Sequence, residues 1–273
     1  MPPSKKPARA PLTHFLCIPL VTPASRPVLA EALSSFRVDV TGPRSLGGLE
    51  VPPDAIRPVG TLHLTLGMMS FPGGEDLPKA VELLRSLKPR EILASVKPPV
   101  MPGAPAPEQE KGDVEKAAGK GQQGTPLSLS VTLKGLHSMQ RELDKTAVLY
   151  APPVDKLGIL QGFCERIAGE FKEAGLMVED DRPLLLHATI VNTIYVRGTS
   201  RAGKDRGKDK SGRRRWDKSV VAYAREAIDR YEDHVWLENF PIRKLAICRM
   251  GAKALEVDGE EDQAYEVEAE IDF

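Results

Sequence analysis

Three cysteines in 273 residues, at positions 17, 164 and 248, are too few and too scattered for a disulfide framework or a C-x-x-C metal or redox pair. That usage fits a reducing intracellular compartment. No apolar run approaches the roughly 18–20 residues of a membrane span, and no apolar stretch follows the basic start MPPSKKPARAP as it would in a secretory signal. No membrane partner is expected, and the expected location is the cytoplasm or nucleus. Net charge is missing as well, since 38 Lys and Arg balance 38 Asp and Glu. This excludes a whole-molecule field that would bind nucleic acid indiscriminately, but it leaves room for local patches. Residues 197–218 hold ten basic side chains against three acidic ones, while 255–273 hold nine acidic and none basic.

What the chain does have is an apolar content of 41%, enough to bury a real core. Residues 1–11 carry Pro, Lys and Ala without periodicity and read as a disordered tail; 12–273 read as one domain. Two segments interrupt it. Residues 97–126 are Pro, Gly, Ala, Lys, Glu and Gln, and 197–218 form the basic stretch; both read as low-complexity insertions without core residues.

Between these, strand character at 13–18 is followed by helical spacing at 25–36, with Ser25 placed to cap. A second strand is expected at 61–69 and a second helix at 76–87, with Pro78 in its first turn. Strict alternation at 127–133 marks a strand, with 146–150 as its expected partner. A long helix follows over 155–174, where Leu157, Leu160, Phe163, Ile167 and Phe171 make one stripe and Gly175 supplies the stop. A strand at 184–191, a helix at 217–231 capped by Asp217, and strands at 245–249 and 265–273 complete the pattern. Strands and helices mix without a regular βαβ alternation, so the expected class is α+β with antiparallel sheets.

Two short segments repeat: Leu62-His63-Leu64-Thr65-Leu66 and Leu186-His187-Ala188-Thr189-Ile190. In a strand the side-chain period is two. His63 and Thr65 therefore share one face while the leucines anchor the other, and the same holds for His187 and Thr189. A single H-x-T triplet occurs by chance; two in well-patterned strands, one per half of the chain, are a stronger signal. An unperturbed imidazole titrates near 6.5, so one can act as base while its partner acts as acid, and a Thr hydroxyl can donate to a phosphate oxygen.

On these residues the sequence resembles the 2H phosphoesterases, named for paired H-x-[ST] motifs, and in particular the 2′,5′ RNA ligase-like domains of A-kinase anchor protein 7 and of subunit 1 of the activating signal cointegrator 1 complex. The similarity runs through THFLCIPL, TLHLTLGMM, GLHSMQRELDKTAVLYA, LLLHATIVNT and WDKSVVAYARE. It implies a bilobal, pseudo-twofold fold in which two antiparallel sheets form a cleft with helices outside. It also implies that His63, Thr65, His187 and Thr189 are catalytic in a metal-independent phosphodiesterase needing no cofactor. The substrate class would be RNA or a nucleotide: a 2′,3′-cyclic phosphate, a 2′,5′-linked oligonucleotide or an RNA 3′ end, with ligation as the reverse of 2′,5′ cleavage. The alternative is a catalytically silent RNA- or nucleotide-binding or scaffolding subunit of a transcription or RNA-processing complex. A monomer is expected.

Other residues are weaker candidates. Tyr195, Trp216 and Arg249 are candidate substrate contacts, the aromatics by stacking on a base and Arg249 by reaching a phosphate. Tyr150 reads equally well as core. His14, His137 and His234 lack repeated context and read as structural, and a zinc site on the two motif histidines lacks a third ligand.

Overall fold

The opening strand, β1 (His14–Pro19), is covered on both faces, and its alternate side chains enter two different clusters. Leu16 and Ile18 point into the main core, while Phe15 and Cys17 join Ala246 and Cys248 in a small cluster on the opposite face. In this computed structural model residues 11–98, 129–143, 146–196 and 218–273 are described. Nearly all of the expected tail and of the 97–126 insertion, and the 197–218 basic segment up to Asp217, lie outside them.

β1 pairs with β2 (His63–Met69) on one side and with β9 (Lys244–Arg249) on the other, and β12 (Val267–Asp272) closes a four-stranded sheet in the order β12-β9-β1-β2. All these pairings are antiparallel. Leu64 and Leu66 pack inward beneath α1 (Arg26–Thr41), α2 (Leu77–Ser86), α3 (Pro89–Ser95) and α4 (Leu160–Glu173), which leaves His63 and Thr65 on the opposite face of the sheet, the one that carries Phe15 and Cys17. This is the separation that the alternation of apolar and polar residues predicts.

The second half of the chain departs from expectation. The alternating strand appears as β3 (Ser130–Lys134), but it does not pair with β5 (Val148–Ala151). Instead β3 lies between the short β6 (Pro153–Val154) and β8 (Val235–Pro241), a strand the sequence reading missed. β5 lies between β4 (His137–Ser138) and β7 (Ala188–Asn192). Gly135, at φ 81°, turns the chain out of β3 into β4; a Cβ there would lie 2.8 Å from the Glu232 carbonyl, so the turn is reserved for glycine. The expected second sheet is therefore two three-stranded pieces. A separate hairpin, β10 (Lys253–Val257) and β11 (Glu260–Ala264), stands apart from both.

Helix signals fared unevenly. Gly175, at φ 69°, stops α4 as its sequence position predicts, with Leu176 N–H donating to the Phe171 carbonyl at 2.9 Å. α4 begins later than expected because Asp155 stands outside the helix and accepts from the Ile159 and Leu160 amides at 2.7 and 3.1 Å. Ser25 precedes α1 but does not cap it: its hydroxyl donates back to the Leu20 carbonyl at 2.7 Å. The last helix, α5, spans Lys218–Arg230. None of the helices among the described residues is long and apolar enough to cross a membrane.

Candidate active site

Each motif histidine makes the same bond. His63 Nδ1 meets the Thr61 carbonyl at 2.8 Å, and His187 Nδ1 meets the Leu185 carbonyl at 2.8 Å. A carbonyl only accepts, so each Nδ1 carries the hydrogen and each Nε2 is left to act on a ligand. The contact runs from residue i to the carbonyl of i−2 in both cases: His63 is the first residue of β2, while His187 stands just ahead of β7, because the strand expected over 184–191 begins only at Ala188. It fixes ring orientation and tautomer together.

The surroundings of the two rings are aromatic. His63 lies 4.8 Å from the Phe15 ring and meets Tyr265 edge-on at 5.3 Å, while His187 meets Tyr150 edge-on at 5.5 Å. Burial, opposed by the Thr61 hydrogen bond and reinforced by the nearby charges of His187 and Arg57, pushes His63 down to about 4. His63 is therefore neutral at pH 7, with an unprotonated Nε2. Among the described residues neither the Thr65 nor the Thr189 hydroxyl has a hydrogen-bond partner. Thr65 is set by its pairing with Cys17, and Thr189 by its pairing with Tyr150.

The two motifs are held together by the loop that precedes β2. Ile56 bridges to Val191, and the Arg57 amide donates to the Ile190 carbonyl at 2.8 Å, so the approach to His63 is tied to the strand that carries Thr189. The same loop is pinned from the other side. Asp262 of β11 accepts from Arg26 Nη1 at 2.7 Å and from the Gly60 amide at 3.1 Å. An open groove of about 1010 Å³ starts at His63, Phe15, Cys17 and Tyr265 and runs across the sheet toward Arg243 and Lys244; β7 does not line it.

Of the weaker candidates, Tyr195 is at the site: its ring lies 3.8 Å from the Arg57 guanidinium, and it interacts with Tyr265. Tyr150 is there too, against His187. Arg249 is not. It pairs across the sheet with His14 while its neighbour Cys248 pairs with Phe15, so it faces away from His63, and its Nε donates to Glu268 at 2.7 Å. Trp216 lies outside the described residues. His14 and His234 are packed on Phe71 and Trp236, in line with their structural reading, and His137 rests on Tyr150. Among the described residues no group of three His, Cys, Asp or Glu side chains is placed to hold a metal ion.

Sequence reasoning missed Arg57 and Tyr265. The signal for Arg57 was a lone cation inside the apolar run Ala55-Ile56-Arg57-Pro58-Val59, six residues before His63. Tyr265 was absorbed into the apolar face of an alternating strand, and it carried no signal of its own.

Residues 12–273 match the family described as AKAP7 2'5' RNA ligase-like domain. A curated Schizosaccharomyces pombe protein, the uncharacterized protein C15D4.13c, is 25% identical over 244 residues, 89% of this chain and 89% of that one. Among solved structures, Escherichia coli LigT complexed with 3′-AMP aligns with 96% of this chain and 98% of its own at 14% identity and a TM-score of 0.46. Kluyveromyces marxianus Usb1 with uridine monophosphate aligns with 93% and 97% at 13% identity and a TM-score of 0.44.

Proposed function

The chain belongs to the AKAP7 2'5' RNA ligase-like domain family, and we propose that it is a metal-independent phosphodiesterase that cleaves RNA or nucleotide phosphodiesters by two-histidine acid–base catalysis. The observation that carries this reading is the matched pair of Nδ1–carbonyl bonds, which reserve both Nε2 atoms for a ligand. A site that only holds a nucleotide gains nothing from two histidines with tautomers fixed in this way.

In the proposed reaction His63, neutral at pH 7, takes the proton of the attacking hydroxyl or water as that oxygen bonds to phosphorus. His187, entering protonated, gives its Nε2 proton to the leaving oxygen as the P–O bond breaks. The reaction ends with His63 protonated and His187 neutral, and a proton exchanged with solvent restores the start. Thr65 and Thr189 donate to the non-bridging oxygens, where negative charge grows in the transition state. A 2′,5′ linkage would supply its own nucleophile, the adjacent 3′-hydroxyl, and a 2′,3′-cyclic phosphate would be opened by water.

The test is an assay against 2′,3′-cyclic, 2′,5′-linked and 3′,5′-linked substrates with chelator present. Turnover of at least one class that is lost in both His63→Ala and His187→Ala supports the reading. Nucleotide binding without product under any condition would favour the silent binding subunit instead.

A further inference from the structure

Arg57 is only 5% exposed, and it sits where the two motifs meet. Its backbone amide is bonded to Ile190, the residue after Thr189, while its charge acts on His63. A guanidinium stays charged at any pH the fold survives and carries five N–H donors, so its burial is tolerated only when those donors and that charge are met. The Tyr195 ring, 3.8 Å away, meets the cationic face, and the Tyr265 phenol meets part of its edge. Among the described residues Arg57 forms no ion pair, and its Nη2 is buried without a hydrogen-bond partner.

A buried charged donor left open near His63, on a backbone bonded to the strand that carries Thr189, calls for an anionic acceptor. We propose that Arg57 is the anion-binding residue of the cleft, its Nη2 donating to a non-bridging oxygen of the substrate phosphate between the two H-x-T motifs. This rests on the phosphodiesterase reading for its substrate, though not for its test. Tyr195, itself 46% exposed, is the cover over the guanidinium, so binding includes a turn of that ring to admit the phosphate. The arrangement separates two tasks. The Thr hydroxyls act on the charge that develops during reaction, while Arg57 meets the charge the phosphate already carries.

The experiment reads binding, not turnover. Adenosine 2′-monophosphate and inorganic phosphate are titrated into the full chain and into Arg57→Lys and Arg57→Met, with dissociation constants from calorimetry and ligand-induced shifts of the melting temperature. Arg57→Met keeps an unbranched side chain of similar length without charge or donors. The expected result is at least about tenfold weaker nucleotide binding in Arg57→Met, an intermediate loss in Arg57→Lys, and no phosphate-induced rise in melting temperature for the Met variant. A purely structural Arg57 would lower the melting temperature of the Met variant yet leave the ligand-induced rise intact, and that outcome overturns the proposal. So does a wild-type protein that binds neither probe at about 10 mM, a concentration that would reveal even millimolar affinity. Because no turnover is measured, a protein that cleaves nothing but needs Arg57 to hold phosphate would sink the enzymatic reading and leave this one standing.

Discussion

His63 and His187 are bonded alike, each ring donating from Nδ1 to the carbonyl two residues before it at 2.8 Å, although 124 positions separate them in the chain. Their environments then diverge. His63 lies between Phe15 and Tyr265 with Arg57 nearby, and its proton affinity falls to about 4. Two groups with one tautomer and different surroundings are what a base and an acid require.

The depressed His63 has a consequence for stability. In the unfolded chain this histidine titrates near 6.5, and in the fold near 4. Between those values the unfolded state binds a proton that the folded state refuses, so stability is fully present above about pH 6.5 and falls as pH drops toward 4. His63→Gln removes this contribution. Melting curves at pH 7 and pH 5 should therefore differ more for the wild type than for His63→Gln; equal differences would place the titration elsewhere.

Thr65→Val and Thr189→Val test the hydroxyls. Valine keeps the β-branched shape that the strands accept, so melting temperatures should move little. Removing one transition-state donor should lower kcat by about 10²-fold, the low end of the range for single oxyanion donors, with a smaller change in KM. Steady-state kinetics on the substrate found in the panel would decide it. An unchanged kcat would remove the Thr from the mechanism.

Trp236 anchors β8 beneath α1. It is 1% exposed, meets Phe36 edge-on at 5.2 Å, and donates from its indole N–H to the Gly135 carbonyl at 2.8 Å. Trp236→Ala should cost about 3–5 kcal/mol in urea unfolding, and Trp236→Phe a smaller amount that includes the unpaired carbonyl. A loss below about 1 kcal/mol for the alanine variant would mean that the site collapses to fill the space.

The thiols should be inert. Cys17, Cys164 and Cys248 are all buried, and the contact of Cys17 with Cys248 at 3.8 Å together with burial raises the Cys17 thiol well above its usual range. Ellman's reagent at pH 8 should find no fast-reacting thiol in the native protein and three after denaturation. One equivalent reacting within seconds would contradict this packing.

How much of this could be read from the sequence depended on whether a pattern was local. The alternation around His63 and His187 is complete within five residues, so it separates each His and Thr from the buried residues between and beside them, even though β7 begins only after His187. Gly175 ended α4 for an equally local reason. Pairing between strands is not local: β3 and β5 are separated by a short connection, yet β3 takes β8 as its partner some hundred residues later. β8, with sequence VWLENFP, does not alternate cleanly and so gives no period-two signal. Arg249 failed for a related reason. Its strand was recognised, but the face it takes depends on registry with β1, where His14 and not Phe15 lies opposite it. Arg57 was hidden because its role depends on Tyr195 and Tyr265, which reach it from distant parts of the chain.

The most direct measurement is the rate of phosphodiester cleavage by the wild type, His63→Ala, His187→Ala and the double variant under one set of conditions. If the two rings act as a unit, each single variant falls by at least about 10²-fold, and the double variant is little worse than either single one. Full activity in either single variant would contradict the account, as would two losses that simply multiply.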